Sequence, residues 1–129
     1  MNLSFGKEER LCSSKLIGRL YDESRRLMAF PYSVQWRFET LKVPCQVMIV
    51  VPKRKFRHAV DRNRLKRLTR ECWRLRKKRL FEYLKERNVS ITLSLVYVHN
   101  EHMSYDQLGR KMDKLVETLC ADIENNSEA

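Results

Sequence analysis

Residues 53–79, KRKFRHAVDRNRLKRLTRECWRLRKKR, constrain this chain more than any other stretch. They hold 14 of its 27 Lys and Arg residues and two acids, Asp61 and Glu71, a local balance of +12. The rest of the chain sums to about −1 against a total of +11, so the positive charge is concentrated in one place. From about Ala59 onward this segment contains no Gly or Pro, and its Leu65, Leu68, Cys72 and Leu75 recur at steps of three and four. That spacing predicts a long helix with an apolar stripe turned to a core. Arg62, Lys66, Arg70 and Arg74 fall every four residues on the other side, with Asn63 and Arg67 beside them, stacking cations at roughly 6 Å intervals. Neighbouring like charges repel by a few tenths of a kcal/mol per pair, roughly. A helix that carries them is suited to a polyanion, whereas an ordinary solvated face mixes Glu with Lys.

The remaining 102 residues must supply the core that this helix packs on, and 129 residues in all predict one domain without disulfide support. A pI near 9.8 points to nucleic acid before other partners. The four cysteines, at 12, 45, 72 and 120, form no CxxC and no Cys/His cluster, so reduced thiols are expected. No run of eighteen apolar residues and no basic-then-apolar start is present, which predicts a cytoplasmic protein without a membrane partner.

Residues 7–24 carry Leu11, Lys15, Ile17, Leu20 and Tyr21 at helical spacing, a first amphipathic helix. A short strand is expected within 26–31. A better one spans 32–39, where Val34, Trp36 and Phe38 alternate with Ser33, Gln35, Arg37 and Glu39. The apolar run 45–51, bounded by Pro44 and Pro52, reads as a central strand buried on both faces. After the long helix, 88–98 gives another strand. Ser104 is placed to cap a last helix striped by Leu108, Met112, Leu115, Leu119 and Ile123, and the acidic tail 125–129 should fray. The result is an α/β (α+β) two-layer sandwich on one small sheet.

No Gly-rich phosphate loop, nucleophile elbow or interpretable acid/base pair is present, so no catalytic residue is expected in this chain. His99 and His102 lie three apart without a third ligand, and no metal site or small-molecule cofactor is expected of the protein itself. Cys72 reads as core, and Trp73 as wrapping onto the sheet. Three function classes remain on this reading: a structured-RNA-binding subunit, a DNA-binding regulator and a ribosome-assembly protein. The DNA reading is the weakest. The Leu65 to Leu75 seam is too short for a zipper, and no short partner helix precedes the basic one.

The string from His58 to Arg76, with its centre Arg62-Asn63-Arg64-Leu65-Lys66-Arg67-Leu68-Thr69-Arg70-Glu71, closely resembles the signature of the bacterial ribonuclease P protein family. Val50-Val51-Pro52-Lys53-Arg54 is similar to that family's strand running into paired basic residues, and Ala59 and Val60 stand just before the motif. Many members carry a Gly shortly before that Ala-Val pair, where this chain has Arg57. The resemblance implies an αβββαβα order and a mixed sheet whose parallel strands are joined by a left-handed crossover, against the usual chirality. It implies the protein subunit of a ribonucleoprotein whose RNA, with Mg²⁺, removes the 5′ leader of precursor tRNA. The partners are then ribonuclease P RNA and precursor tRNA.

It further implies that Lys53, Arg54, Lys55, Arg57, Arg62, Asn63, Arg64, Lys66, Arg67, Arg70 and Arg74 face the catalytic RNA. The guanidinium fork matches a phosphate through two hydrogen bonds. For Asn63, a role in orienting the turn or reading a sugar or base edge stands beside that of a helix-start cap. Ile17, Tyr21 and Trp36 match positions of a leader cleft between first helix and sheet, where an aromatic face stacks on an unpaired base. For Trp36, flanked by Val34 and Phe38, a core position stands equally open.

Overall fold

The computed structural model describes residues 5–126. A 3-10 turn at Lys7–Glu9 is followed by α1 (Ser14–Asp22), β1 (Arg25–Ala29), β2 (Tyr32–Phe38), β3 (Cys45–Val50), α2 (Ala59–Glu86), β4 (Ile91–Tyr97) and α3 (Tyr105–Asn126). The first helix is thus shorter than the 7–24 periodicity suggests. The Ser13 side chain accepts from the Leu16 amide and starts the helix there. Ser104 caps α3 as expected, accepting from Gln107 N while Gln107 Oε1 accepts from Ser104 N, a reciprocal pair that satisfies two amides. Helix α3 continues through Asn126; the rest of the tail expected to fray lies outside the described residues.

The sheet order is β1-β2-β4-β3, with β3 and β4 parallel and the other pairs antiparallel. One expectation is corrected here: β3 lies at the edge, and β4 takes the central place. Proline on both flanks and a continuous apolar run fit either position. In β3 only Cys45 and Val47 are buried, whereas every β4 residue but Val96 is buried. The outer rim of β3 is partly closed by the segment before α1: Arg10 bridges to Val47, and the Leu11 amide donates to Val47 O at 3.0 Å.

Side-chain alternation sorts the sheet into two faces. Tyr32, Val34, Trp36 and Phe38, with Tyr97, Leu95, Leu93 and Ile91 opposite them in register, face α2 and α3 and build the core with Leu65, Cys72, Trp73, Leu80 and Leu84. The Tyr32 hydroxyl is hydrogen-bonded to Thr69 Oγ1 on α2 at 2.7 Å, and burial drives its pKa upward. The other face carries Ser33, Gln35 and Arg37, with Thr92, Ser94 and Val96 opposite. Helix α1 lies on this side: Arg19 pairs with Glu39 at 3.2 Å, Arg37 donates to Glu23 O at 3.1 Å, and Gln35 donates to Ser24 Oγ at 3.2 Å. The two expected layers, helices against sheet, therefore gain a partial third.

The stripe predicted for α2 is corrected at one position. Leu65 and Cys72 are buried and Leu68 partly so, but Leu75 is exposed; the inner line runs Leu65, Thr69, Cys72, Trp73, Lys77, Leu80, Phe81 and Leu84. Lys77 is 0% exposed. Its ammonium donates to Glu9 Oε1 at 2.5 Å and lies 5.2 Å from the centre of the Phe81 ring. One member of the basic run thus pins the amino-terminal segment to α2 and leaves the polyanion surface.

Candidate nucleic-acid interface

Between β3 and α2, the 52–58 loop turns on Pro52, whose carbonyl accepts from the Lys55 amide at 3.1 Å. Phe56 anchors the loop: it is buried, with ring centres 5.9 Å from Tyr97 and 5.0 Å from His102. Lys53, Arg54 and Arg57 are left at the surface. Lys55 donates to Asn100 Oδ1 at 2.8 Å. Arg62 reaches back from the first turn of α2 to the carbonyls of Phe56 and Arg57, at 2.8 and 2.9 Å. It is the internal tie of the loop. Asp61, in the same first turn, favours the positive end of the helix dipole.

Along α2, Arg64 donates to His102 Nδ1 at 2.9 Å, and the other ring nitrogen of His102 stands 3.4 Å from Asp61 Oδ1. The side chains of Lys66, Arg67 and Arg70 make no hydrogen bond or ion pair to another described residue, and the same holds for those of Lys53, Arg54 and Arg57. These six cations, on one loop and one helix ridge, have no side-chain partner among the described residues. Arg74 differs. Glu71 sits one turn before it, Arg74 bonds both carboxylate oxygens at 3.0 and 2.5 Å, and this guanidinium holds the Glu71 carboxyl below its ordinary range. Unlike Arg67 and Arg70, it is already paired within the chain.

Asn63 is exposed in the second turn of α2 with no side-chain partner among the described residues. The capping alternative for it is excluded, because the helix starts four residues earlier with His58 as N-cap. Asn63 faces outward among the cations.

The three residues matched to a leader cleft are not brought together. Tyr21 is 49% exposed and Ile17 half-buried, both on α1, whereas Trp36 is 1% exposed on the opposite face of the sheet. Its indole N–H donates to Asp122 Oδ2 of α3 at 2.7 Å, and its ring meets Phe38 edge-on at 4.9 Å. Even-numbered β2 residues point to α2 and α3, so Trp36 is core. The α1 side of the sheet offers instead a row in register: Met28, Ser33, Val96 and Val50. Met28 is 61% exposed and the other three half-buried.

Sequence reasoning misses His102 and Asn100, which hold Arg64 and Lys55 from the β4–α3 loop. The only signal for them is two histidines and an asparagine close together in a loop, a pattern too short to make a metal site and too common to mark a tether. Among the described residues no three His, Cys, Asp or Glu side chains are grouped to hold a metal ion. No helix among them is long and apolar enough to cross a membrane.

A mixed sheet with a basic helix and loop whose cations are presented outward defines a polyanion-binding α+β protein. A family model described as Ribonuclease P matches residues 5–120. The ribonuclease P protein component of Porphyromonas gingivalis is 30% identical over 123 residues, covering 94% of this chain and 90% of the relative. In fold, the chain is similar to the RNase P protein of Staphylococcus aureus, with a TM-score of 0.71 at 17% identity over 88% of this chain and 96% of that one. It is also similar to that of Thermotoga maritima, with a TM-score of 0.64 at 19% identity over 85% and 96%. The chain belongs to the ribonuclease P protein family, a subunit of the endoribonuclease that matures the 5′ end of tRNA.

Proposed function

We propose that this chain binds ribonuclease P RNA through the 52–58 loop and the outer ridge of α2, and holds the leader of precursor tRNA beside α1, while the RNA cleaves the phosphodiester. The observation that carries this reading is the set of six outward cations whose side chains have no partner among the described residues. Phosphates approaching them displace only water and counterions, and no ion pair within the protein has to be broken. Mg²⁺ is expected in the assembled particle, where phosphate and water oxygens would ligate it. Bound there, it would supply charge stabilisation at the scissile phosphate. The protein's own part is to lower repulsion between two RNAs and to fix where they meet.

The leader path runs along Tyr21 and the Met28 to Val50 row. Thr92 and Ser94 are fully buried on this same face, whereas the row keeps accessible surface. An exposed ring on α1 and a mixed apolar row on the same side of the sheet can receive bases without demanding sequence.

The test is reconstitution with the ribonuclease P RNA of the same organism at low Mg²⁺, timing cleavage of a leader-bearing precursor. Strong stimulation is expected; none would reject the proposal. Within that assay, the Arg67→Ala, Arg70→Ala double variant is expected to weaken RNA assembly and to lower the salt slope by roughly 0.7–0.9 for each phosphate left unneutralised. An unchanged slope would remove these residues from the interface. Tyr21→Ala is expected to weaken precursor binding by about 5- to 150-fold, from a stacking contribution of about 1–3 kcal/mol, and to leave mature tRNA binding unchanged. Equal weakening for both ligands would move the leader elsewhere.

A further inference from the structure

At the end of the sheet where the 52–58 loop begins, a second aromatic surface stands outside the interface described above. Phe30, in the β1–β2 turn, is 47% exposed. The turn is held by the Val98 amide, which donates to Pro31 O at 2.8 Å and brings the end of β4 alongside. His99 follows directly, its ring centre 5.0 Å from that of Phe30 at an interplanar angle of 59°. From α3, the Lys111 ammonium lies 5.8 Å from the Phe30 centroid. That is the outer limit of a cation–π contact. At such a distance the ammonium leaves most of the ring uncovered and can swing to a phosphate.

Single exposed apolar residues are common and carry no meaning alone. This one differs in being fixed on a turn tied to the central strand, flanked by an imidazole and an ammonium. It also shares its end of the sheet with Lys53, Arg54 and Lys55. A flat ring beside a mobile cation, on a chain of net charge +11, fits a nucleotide: a base on the ring and its phosphate on the ammonium. An apolar protein partner would be met by the surrounding positive charge.

We infer that Phe30, with His99 and Lys111, is a stacking site for one unpaired nucleotide of bound RNA, taking the base on Phe30 and the adjoining phosphate on Lys111. The inference rests on the RNA-binding reading above and extends its surface past the Asn100 tether to α3. The nucleotide can come from ribonuclease P RNA or from precursor tRNA, and the experiment separates the two.

Trp36 and Trp73 are 1% and 0% exposed, so a Phe30→Trp variant gains one accessible indole whose emission reports this position. Titration of that variant with single-stranded oligoadenylate is expected to quench its emission saturably; a blunt-ended RNA duplex of equal phosphate number should not. Phe30→Leu, which keeps an apolar side chain on an exposed turn, is expected to lose about tenfold in affinity for one of the two RNAs. The RNA that loses affinity names the source, and Lys111→Gln should weaken the same one. Unquenched emission at saturating oligoadenylate overturns the inference, as does wild-type affinity of Phe30→Leu for both RNAs. Failure here leaves the ridge reading intact, because the Arg67→Ala, Arg70→Ala variant tests that through its salt slope. Conversely, a protein that fails to stimulate cleavage can still show or lack the quenching.

Discussion

Glu9→Ala is expected to destabilise the protein by about 3–5 kcal/mol, read as a lower urea midpoint at unchanged slope. The reason lies at the other end of the ion pair. Lys77 is 0% exposed, and its 2.5 Å partner is removed while its charge stays in place. Lys77→Met gives the contrasting result. It removes the buried charge, keeps an unbranched apolar stem in the space beside Phe81, and leaves Glu9, which is 17% exposed, able to turn to water. A buried pair replaced on its costly side by an apolar group of similar shape is often neutral or better. Lys77→Met should therefore fall within about 1.5 kcal/mol of the wild type. If both variants lose equally, the pair matters through its attraction, and the desolvation argument is wrong for this site.

Trp36→Ala is expected to cost about 3–5 kcal/mol, the range for removing a large aromatic from a core. It empties the space between Val34, Phe38 and the carboxyl end of α3, and it strands the Asp122 carboxylate that accepts from the indole. At temperatures where the variant remains folded, its ratio of precursor to mature tRNA affinity should match the wild type. A folded Trp36→Ala protein that had lost only its preference for the precursor would put that ring back in a leader cleft. Tyr21→Ala should show the reverse pattern, with preference lost and stability nearly kept, because its ring is half in solvent.

Both predictions concern residues at which the sequence is ambiguous, and the ambiguity has physical causes. Periodicity reports that Val34, Trp36 and Phe38 share a face, but not whether that face meets α1 or α2. Both helices are expected from the sequence, and only their packing decides. The apolar run ending in β3 cannot distinguish an edge strand from a central one, because the neighbouring chain that covers its rim comes from Arg10 and Leu11, far away in sequence. Lys77 sits in a run of cations and counts with them; its partner Glu9 lies 68 residues earlier. Leu75 satisfies the three-and-four spacing, yet the buried line passes through Cys72, Trp73 and Lys77, and at about 100° per residue Leu75, between them in sequence, falls on the outer side of the helix.

What is legible depends on local rules. The start of α2 and the cap of α3 follow from neighbouring residues, as does the order of elements, and each agrees with the structure to within a few residues. The outward set of cations is legible for the same reason, since every fourth residue of a helix lies on one side. The exceptions within that set are also local in origin: Arg74 has Glu71 one turn away, and Arg62 has two carbonyls within reach. His102 and Asn100 stay hidden because the loop that carries them folds back on α2 only through tertiary contacts.

The bridge from Arg10 to Val47 bears on how the protein behaves when crowded. A six-residue strand rich in Val, Ile and Met, left open along one side, is a template on which identical chains can zip together. Here the chain's own leading segment occupies part of that template, and the buried Glu9–Lys77 pair fastens the segment in place. Weakening the fastening would therefore do more than lower a melting point: it would uncover a sticky rim, and many copies gathered on RNA would be drawn toward fibrils.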